Sequence, residues 1–305
     1  MKKNNLIADY NRIESLPVPA RAAMYQDGKF TTAVKLESKK EYSEKMRALI
    51  VLHWYRMRAA RMVINKLKKG NALQLDEMIF LNKMFDYSIS KGTDKMAGIF
   101  SISTACFLNK QCAKNARIAG SICEKCYAVR TCLCRFELSM KLELNTLLYS
   151  SVIIPADLLP FINSVVFRLE SFGDLQNEIQ MINYINVCKK NPSCIFAQWT
   201  KNPHIIEKAL KAGYKKPRNL IIVYSSLFLD NNGGAGIIKK YPFINKVFTV
   251  YTVDYLKDHK DIKINCGGRS CINCLNCYKK DGPRVINELL KSDKNAARAA
   301  GIIID

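Results

Sequence analysis

Eight of the chain's twelve cysteines fall into two compact groups, Cys106/Cys112/Cys123/Cys126 and Cys266/Cys271/Cys274/Cys277. Thiolates two or four residues apart can be aimed by a tight turn at a common point, as in zinc sites and iron-sulfur sites. The second group, Cys-x4-Cys-x2-Cys-x2-Cys, meets that requirement most directly. With only three histidines (His53, His204, His259), sulfur must dominate any ligand set. Sulfur favours zinc or iron-sulfur over copper, calcium or magnesium. Cys132, Cys134, Cys188 and Cys194 lie outside these spacings and read as buried thiols.

An even cysteine count also suits a secreted, disulfide-stapled scaffold. Here the opening Met-Lys-Lys-Asn-Asn lacks the apolar core of a signal peptide, and no apolar run is long enough to span a membrane. The expectation is a cytoplasmic chain with reduced thiols and no membrane partner.

The 305 residues are 49% hydrophobic, enough for one large domain or two smaller ones with a real core. Forty-eight Lys and Arg against 26 Asp and Glu give a net charge of +22. Such a field attracts polyanions, nucleic acid above all; the alternative is a basic face that is merely solvated. Residues 39–69 concentrate the charge, with ten Lys and Arg against Glu41 and Glu44. This stretch reads as a helix: Ser38 and Glu41 form a capping box, Met46, Ile50, His53, Met57, Ala60, Ile64 and Leu67 recur at helical spacing, and Gly70 can terminate it. Arg47, Trp54, Arg58 and Arg61 lie off that stripe, so the three arginines are candidate nucleic-acid contacts. His53 lies on the stripe and reads as a core residue. A second helix is expected over Leu75–Phe85.

From about Met96 the pattern alternates. The expected strands are Gly98–Thr104, Ser164–Leu169, Ser193–Thr200, Asn219–Ser225, Lys246–Tyr251 and Asp261–Asn265. Helical segments, among them Arg135–Leu148, Leu175–Lys189 and Ile205–Ala212, lie between them, and residues 283–299 read as a final helix. The glycine-rich Asn231–Gly236 reads as a flexible connection, and no Walker loop or Ser/His/Asp arrangement is present. The expected fold is α/β: a partial (β/α)6-type parallel barrel over residues 96–265, after a basic, mainly helical extension (1–95) and before a cysteine-rich metal segment (266–305).

Chemistry in such folds gathers where strands end. The first cysteine group follows the first strand, Arg168-Leu-Glu170-Ser-Phe-Gly173-Asp174 ends the second, Thr200-Lys201-Asn202 the third, and Tyr224-Ser225-Ser226 the fourth. A Gly-Asp there suits the close approach of a small ligand.

Cys112-x10-Cys123-x2-Cys126-Tyr127-Ala128, Phe167–Leu175, Phe196–Asn202, Asn219–Ser225 and the Cys266–Cys277 quartet, in that order, resemble the phage-associated gene-product-eighty-eight domain over residues 96–280. In layout that domain is similar to radical S-adenosylmethionine enzymes. The resemblance implies one or two [4Fe-4S] clusters, with zinc as the alternative at the C-terminal group, and S-adenosylmethionine as a second cofactor. On it, Cys112, Cys123 and Cys126 hold three irons, and the fourth iron is open to S-adenosylmethionine. Tyr127, Gly173, Asp174, Thr200 and Ser225 would bind the cofactor, and Lys201 and Asp174 are the candidate catalytic side chains. A phage-encoded chain would work in the host bacterial cytoplasm, on nucleic acid or another polyanion, and a host protein is a further partner class.

Ten residues, including Lys114 and Arg117, separate Cys112 from Cys123, where those enzymes have three. Cys106 is also within reach. If it completes a four-thiolate set, no iron is open and the chain is a metal-stabilised binding factor for nucleic acid or protein.

Overall fold

A computed structural model describes residues 5–26, 28–33, 42–231, 234–267 and 269–293. The chain opens with helices α1 (Leu6–Ser15), α2 (Val18–Ala23), α3 (Glu44–Lys68) and α4 (Leu75–Ser88). Strands β1 (Ser90–Lys91) and β2 (Phe100–Ile102) follow, then α5 (Lys110–Ala116), α6 (Tyr127–Cys134) and α7 (Phe136–Ser150). Strands and helices then alternate as β3 (Val166–Leu169), α8 (Glu178–Lys190), β4 (Ile195–Thr200), α9 (Pro203–Lys211), β5 (Leu220–Ser225), α10 (Gly234–Lys240) and β6 (Lys246–Tyr251). The described chain closes with α11 (Val253–Asp258), α12 (Cys271–Cys274) and β7 (Val285–Leu289).

The result is an α/β protein with one seven-stranded, mostly parallel sheet, its strands ordered β1 to β7 as in the sequence. Only β1 runs antiparallel, pairing Ser90 with Ser101. From β2 to β7 every neighbouring pair is parallel. The sheet is open, with β1 and β7 at its edges.

Alternation along the strands sends neighbouring side chains to opposite faces. Phe167, Leu169, Phe196, Leu220 and Ile222 enter the main apolar core with helix residues such as Leu144, Ile185 and Ile206. Tyr10, Val63 and Phe85 of the N-terminal helices belong to that same core. On the opposite face Val166, Ala197 and Trp199 pack against Ile99, Tyr278, Cys271 and Cys277. The C-terminal cysteine segment therefore covers the face that the main helix layer leaves open.

Helix α3 ends where the sequence places its stop. Gly70 takes φ +71, its N–H bonds Leu67 and the Asn71 N–H bonds Lys66, the double closure that a left-handed residue permits. Its start differs. Ser43 caps it, the hydroxyl accepting from Met46 N–H at 3.3 Å, while the expected Ser38/Glu41 box lies outside the described residues. His53 is buried and bonds Glu143 Oε2 at 3.1 Å, as a core histidine should.

The expected strand at Asp261–Asn265 does not form; Ile264 and Cys266 make isolated bridges, Cys266 with Glu288. The sixth parallel strand is Val285–Leu289, inside the stretch read as a helix, and residues 294–299 of that expectation lie outside the described residues. The edge of β6 needs a partner for its N–H and C=O groups, and Val-Ile-Asn-Glu-Leu meets that need. The glycine-rich stretch read as a flexible connection begins α10 at Gly234.

Candidate metal and cofactor site

The second cysteine group packs on the sheet, and the first lies among helix and loop residues beyond the end of β2. Cys112 rides on α5, whose start is fixed by Asn109: its side-chain oxygen accepts from the N–H groups of Gln111 (2.8 Å) and Cys112 (3.3 Å). The Asn109 amide donates in turn to the carbonyls of Asp174 (2.8 Å) and Leu175 (3.2 Å). One side chain thus ties the Cys112 helix to the loop after β3. Cys126 stands at the N-cap of α6. Contact with the Cys106 thiol, backed by the Val129 and Ala128 N–H groups and the Lys201 charge, draws the Cys126 thiol below the ordinary range. Burial is what lifts Cys112 and Cys123, while Lys201 pulls Cys123 the other way.

The loop after β3 is locked from below. Glu170, 2% exposed and at φ +62, accepts from Thr104 N–H (3.1 Å), Thr104 Oγ1 (3.1 Å), Gln180 Nε2 (2.6 Å) and Tyr184 OH (2.6 Å). Burial outweighs these bonds and lifts its carboxyl to about 7. Gly173 rests directly on this group: a Cβ there would overlap the Thr104 carbonyl and the Glu170 carboxylate.

Asp174 is the second strut. Its Oδ1 accepts from Thr200 Oγ1 (2.6 Å) and Leu175 N–H (2.7 Å), and its Oδ2 from Lys201 N–H (2.8 Å). Lys201 Nζ reaches across to Ser225 Oγ at 2.7 Å. Gly173, Asp174, Thr200, Lys201 and Ser225 are therefore brought together at the exits of β3, β4 and β5, with Cys123 and Cys126 within the field of Lys201. Tyr127 donates to the Ser171 carbonyl (2.9 Å) and sits 6.2 Å from the Phe172 ring, yet remains 62% exposed. Cys106 is 3% exposed in an apolar nest with Ala105, Ala128, Cys132 and Leu142, in contact with both Cys126 and Cys132.

The second group is more open to a single reading. Cys266, Cys271, Cys274 and Cys277 line one cavity of about 30 Å³ with Lys95, Arg269 and Tyr278. Leu275, at φ +54, makes the left-handed knuckle between Cys274 and Cys277, and the N–H groups of Tyr278 and Lys279 fold back onto its carbonyl. Besides Arg269, three cations act on the thiols. Lys95 Nζ lies 3.0 Å from Cys266 Sγ and 2.7 Å from Glu288 Oε1; Arg168 acts on Cys271 and Cys277; Lys246, 1% exposed, acts with Cys277. Glu288 already answers Lys95, and thiolates around a metal would answer the buried Lys246 and the half-buried Arg168. Donor type, shared cavity and cationic surround therefore fit a thiophilic metal. Among the described residues no three His, Cys, Asp or Glu side chains stand at metal-holding separation, so a metal here would require the sulfurs to draw together.

Cys188 and Cys194 are buried thiols as expected, and so is Cys132; Cys134 is exposed. The arginines of α3 are partly engaged. Arg47 donates to the Tyr42 carbonyl (2.9 Å), Arg58 lies 4.4 Å over Trp54, and Arg61 is exposed. Trp54 itself wedges between Phe30 and Tyr55. The sequence reading missed the supports: Thr104, Asn109, Gln180, Tyr184, Lys95 and Glu288. Only Gln180 and Tyr184 left a local signal, two polar residues one helical turn apart on an otherwise apolar face.

No protein-family model, curated protein or solved structure matches the chain. Among the described residues no helix is long and apolar enough to cross a membrane.

Proposed function

We propose that this chain is an iron-sulfur protein of radical S-adenosylmethionine-like type, acting on a nucleic acid or other polyanionic substrate. What supports it is the meeting of three elements at adjacent parallel strand exits: the Cys112/Cys123/Cys126 loop, the Gly173–Asp174 loop and the Lys201–Ser225 pair. Six parallel strands in sequence order suit a partial barrel with that mouth, and the ordered motifs resemble the gene-product-eighty-eight domain. A [4Fe-4S] cluster on Cys112, Cys123 and Cys126 would supply the electron that cleaves the sulfonium of S-adenosylmethionine.

The chain's own residues then have definite tasks. Asp174, with both oxygens taken by Thr200, Leu175 and Lys201, holds the loop and the Lys201 backbone in place. Lys201 Nζ, held by Ser225, offers a cation to a carboxylate or phosphate. Gly173 lets its loop pack directly on the Thr104 carbonyl and the Glu170 carboxylate. Tyr127 and Phe172 present aromatic surface beside the thiols.

One observation favours a second reading. The Cys106 thiol touches Cys126, and a four-thiolate set would close the site and leave a metal-stabilised binding factor. Protein purified without oxygen decides between them. About four irons or more, with a reduced-cluster electron paramagnetic resonance signal that shifts on adding S-adenosylmethionine, supports the enzyme; zinc alone, or a cluster indifferent to S-adenosylmethionine, overturns it.

A further inference from the structure

Residues 105–135, which carry the first thiols, hold Lys110, Lys114, Arg117, Lys125, Arg130 and Arg135 against the single acid Glu124. All six cations are exposed. None forms an ion pair with a described acidic residue, and Glu124 is occupied by the Gly120 N–H at 2.9 Å. The charge continues around the mouth. Lys114 and Lys208 both depress the His204 imidazolium, next to burial as the main cause, and His204 also feels Asp174. On the other side Lys291 sits 6.0 Å over the Tyr127 ring.

Aromatic rings are set among these cations. Tyr127 is 62% and Phe228 39% exposed. Phe228 is held beside the thiol loop by its bridge to Ser121 and by the Ile122 N–H on the Leu227 carbonyl (2.9 Å). Unsatisfied cations spaced among exposed rings are what a single strand requires: phosphates meet the charges and unpaired bases stack on the rings. A duplex keeps its bases stacked internally and cannot use the rings, and an acidic peptide has no planar groups to place on them.

We infer that this rim, and not the arginine face of α3, is the docking surface for single-stranded nucleic acid, delivering the strand to the Lys201–Ser225 mouth. The inference rests on the polyanion part of the function proposed above and is independent of the metal chemistry.

The test uses the full chain purified without oxygen and fluorescence anisotropy with labelled single-stranded RNA and DNA of one sequence, their duplex, and polyglutamate. The combined variant Lys114→Ala, Arg117→Ala, Lys125→Ala is expected to weaken single-strand binding at least tenfold and to lower the slope of log affinity against log salt by about 2. Phe228→Ala is expected to weaken the single strand on the order of tenfold and to spare the duplex. Replacing Arg47, Arg58 and Arg61 by alanine is expected to change affinity less than twofold. Equal binding of duplex or polyglutamate, or a loss carried by the α3 variant alone, overturns the inference. Photo-crosslinking to the unaltered protein checks the map without variants: adducts within residues 105–135 and at Phe228 are expected, and adducts confined to α3 overturn it. Strand binding in a protein without iron would leave this surface standing and sink the enzyme reading; an S-adenosylmethionine-responsive cluster without strand binding would do the reverse.

Discussion

Thr104 is held twice by Glu170, its N–H and its hydroxyl each 3.1 Å from a carboxylate oxygen, so the exits of β2 and β3 are joined by one acid. Glu170→Ala leaves the Thr104, Gln180 and Tyr184 donors without their shared acceptor. The expected cost is about 3 kcal/mol, from several unsatisfied buried groups at roughly 1–3 kcal/mol each. A fall in chemical-denaturation midpoint without a change in slope is the check.

The same carboxyl sets a pH dependence. Its folded value, about 7, lies above the ordinary 4.5, so its contribution to stability is fully present below 4.5 and is lost as pH rises through 7. Melting temperature should fall between those limits, and Glu170→Gln, which cannot ionise, should flatten that slope. An unchanged slope in the variant would assign the pH dependence to other groups.

Gly173→Ala forces a methyl into the Thr104 carbonyl and the Glu170 carboxylate. Because both neighbours are fixed, the loop must move, at a cost of about 1–3 kcal/mol. On the proposed reading, binding of S-adenosylmethionine, measured by calorimetry, should weaken more than stability does.

Lys95→Met removes the ammonium from Cys266 and leaves Glu288 beside the thiols. On the reading of the quartet as a metal site, its affinity for metal against a competing chelator should fall by about 10–100-fold, the range for a disrupted supporting contact. The release is followed by absorbance at the metal-thiolate band, with iron or zinc counted afterwards.

Cys112→Ser and Cys106→Ser separate the open from the closed site. On the proposed reading Cys112→Ser abolishes the S-adenosylmethionine-responsive signal, and Cys106→Ser retains it with a modest loss of stability from its apolar nest. Equal loss in both would count Cys106 among the ligands.

Local pattern and long-range demand explain which parts of this structure were legible in the sequence. Lys246–Tyr251 was readable to the residue because its β-branched and aromatic run is bounded by turns. Val285–Leu289 was not, since apolar residues at 285, 286, 289 and 290 also match a helical stripe and only the unpaired edge of β6 decides. The gathering of Asp174, Thr200, Lys201 and Ser225 followed from placing each at a strand exit. Lys95 and Cys266 stand 171 positions apart, and no local spacing announces such a contact.

A sheet whose neighbours in space are consecutive in sequence can be laid down strand by strand as the chain leaves the ribosome, each new strand docking on the last. The C-terminal cysteine segment breaks that progression: Cys266 reaches back to Lys95, just before β2, and Cys271 and Cys277 pack with Val166 and Ala197. That segment is therefore the latch of the assembly: Cys266 bridges Glu288 of β7, so it shuts only once the last described strand has been made.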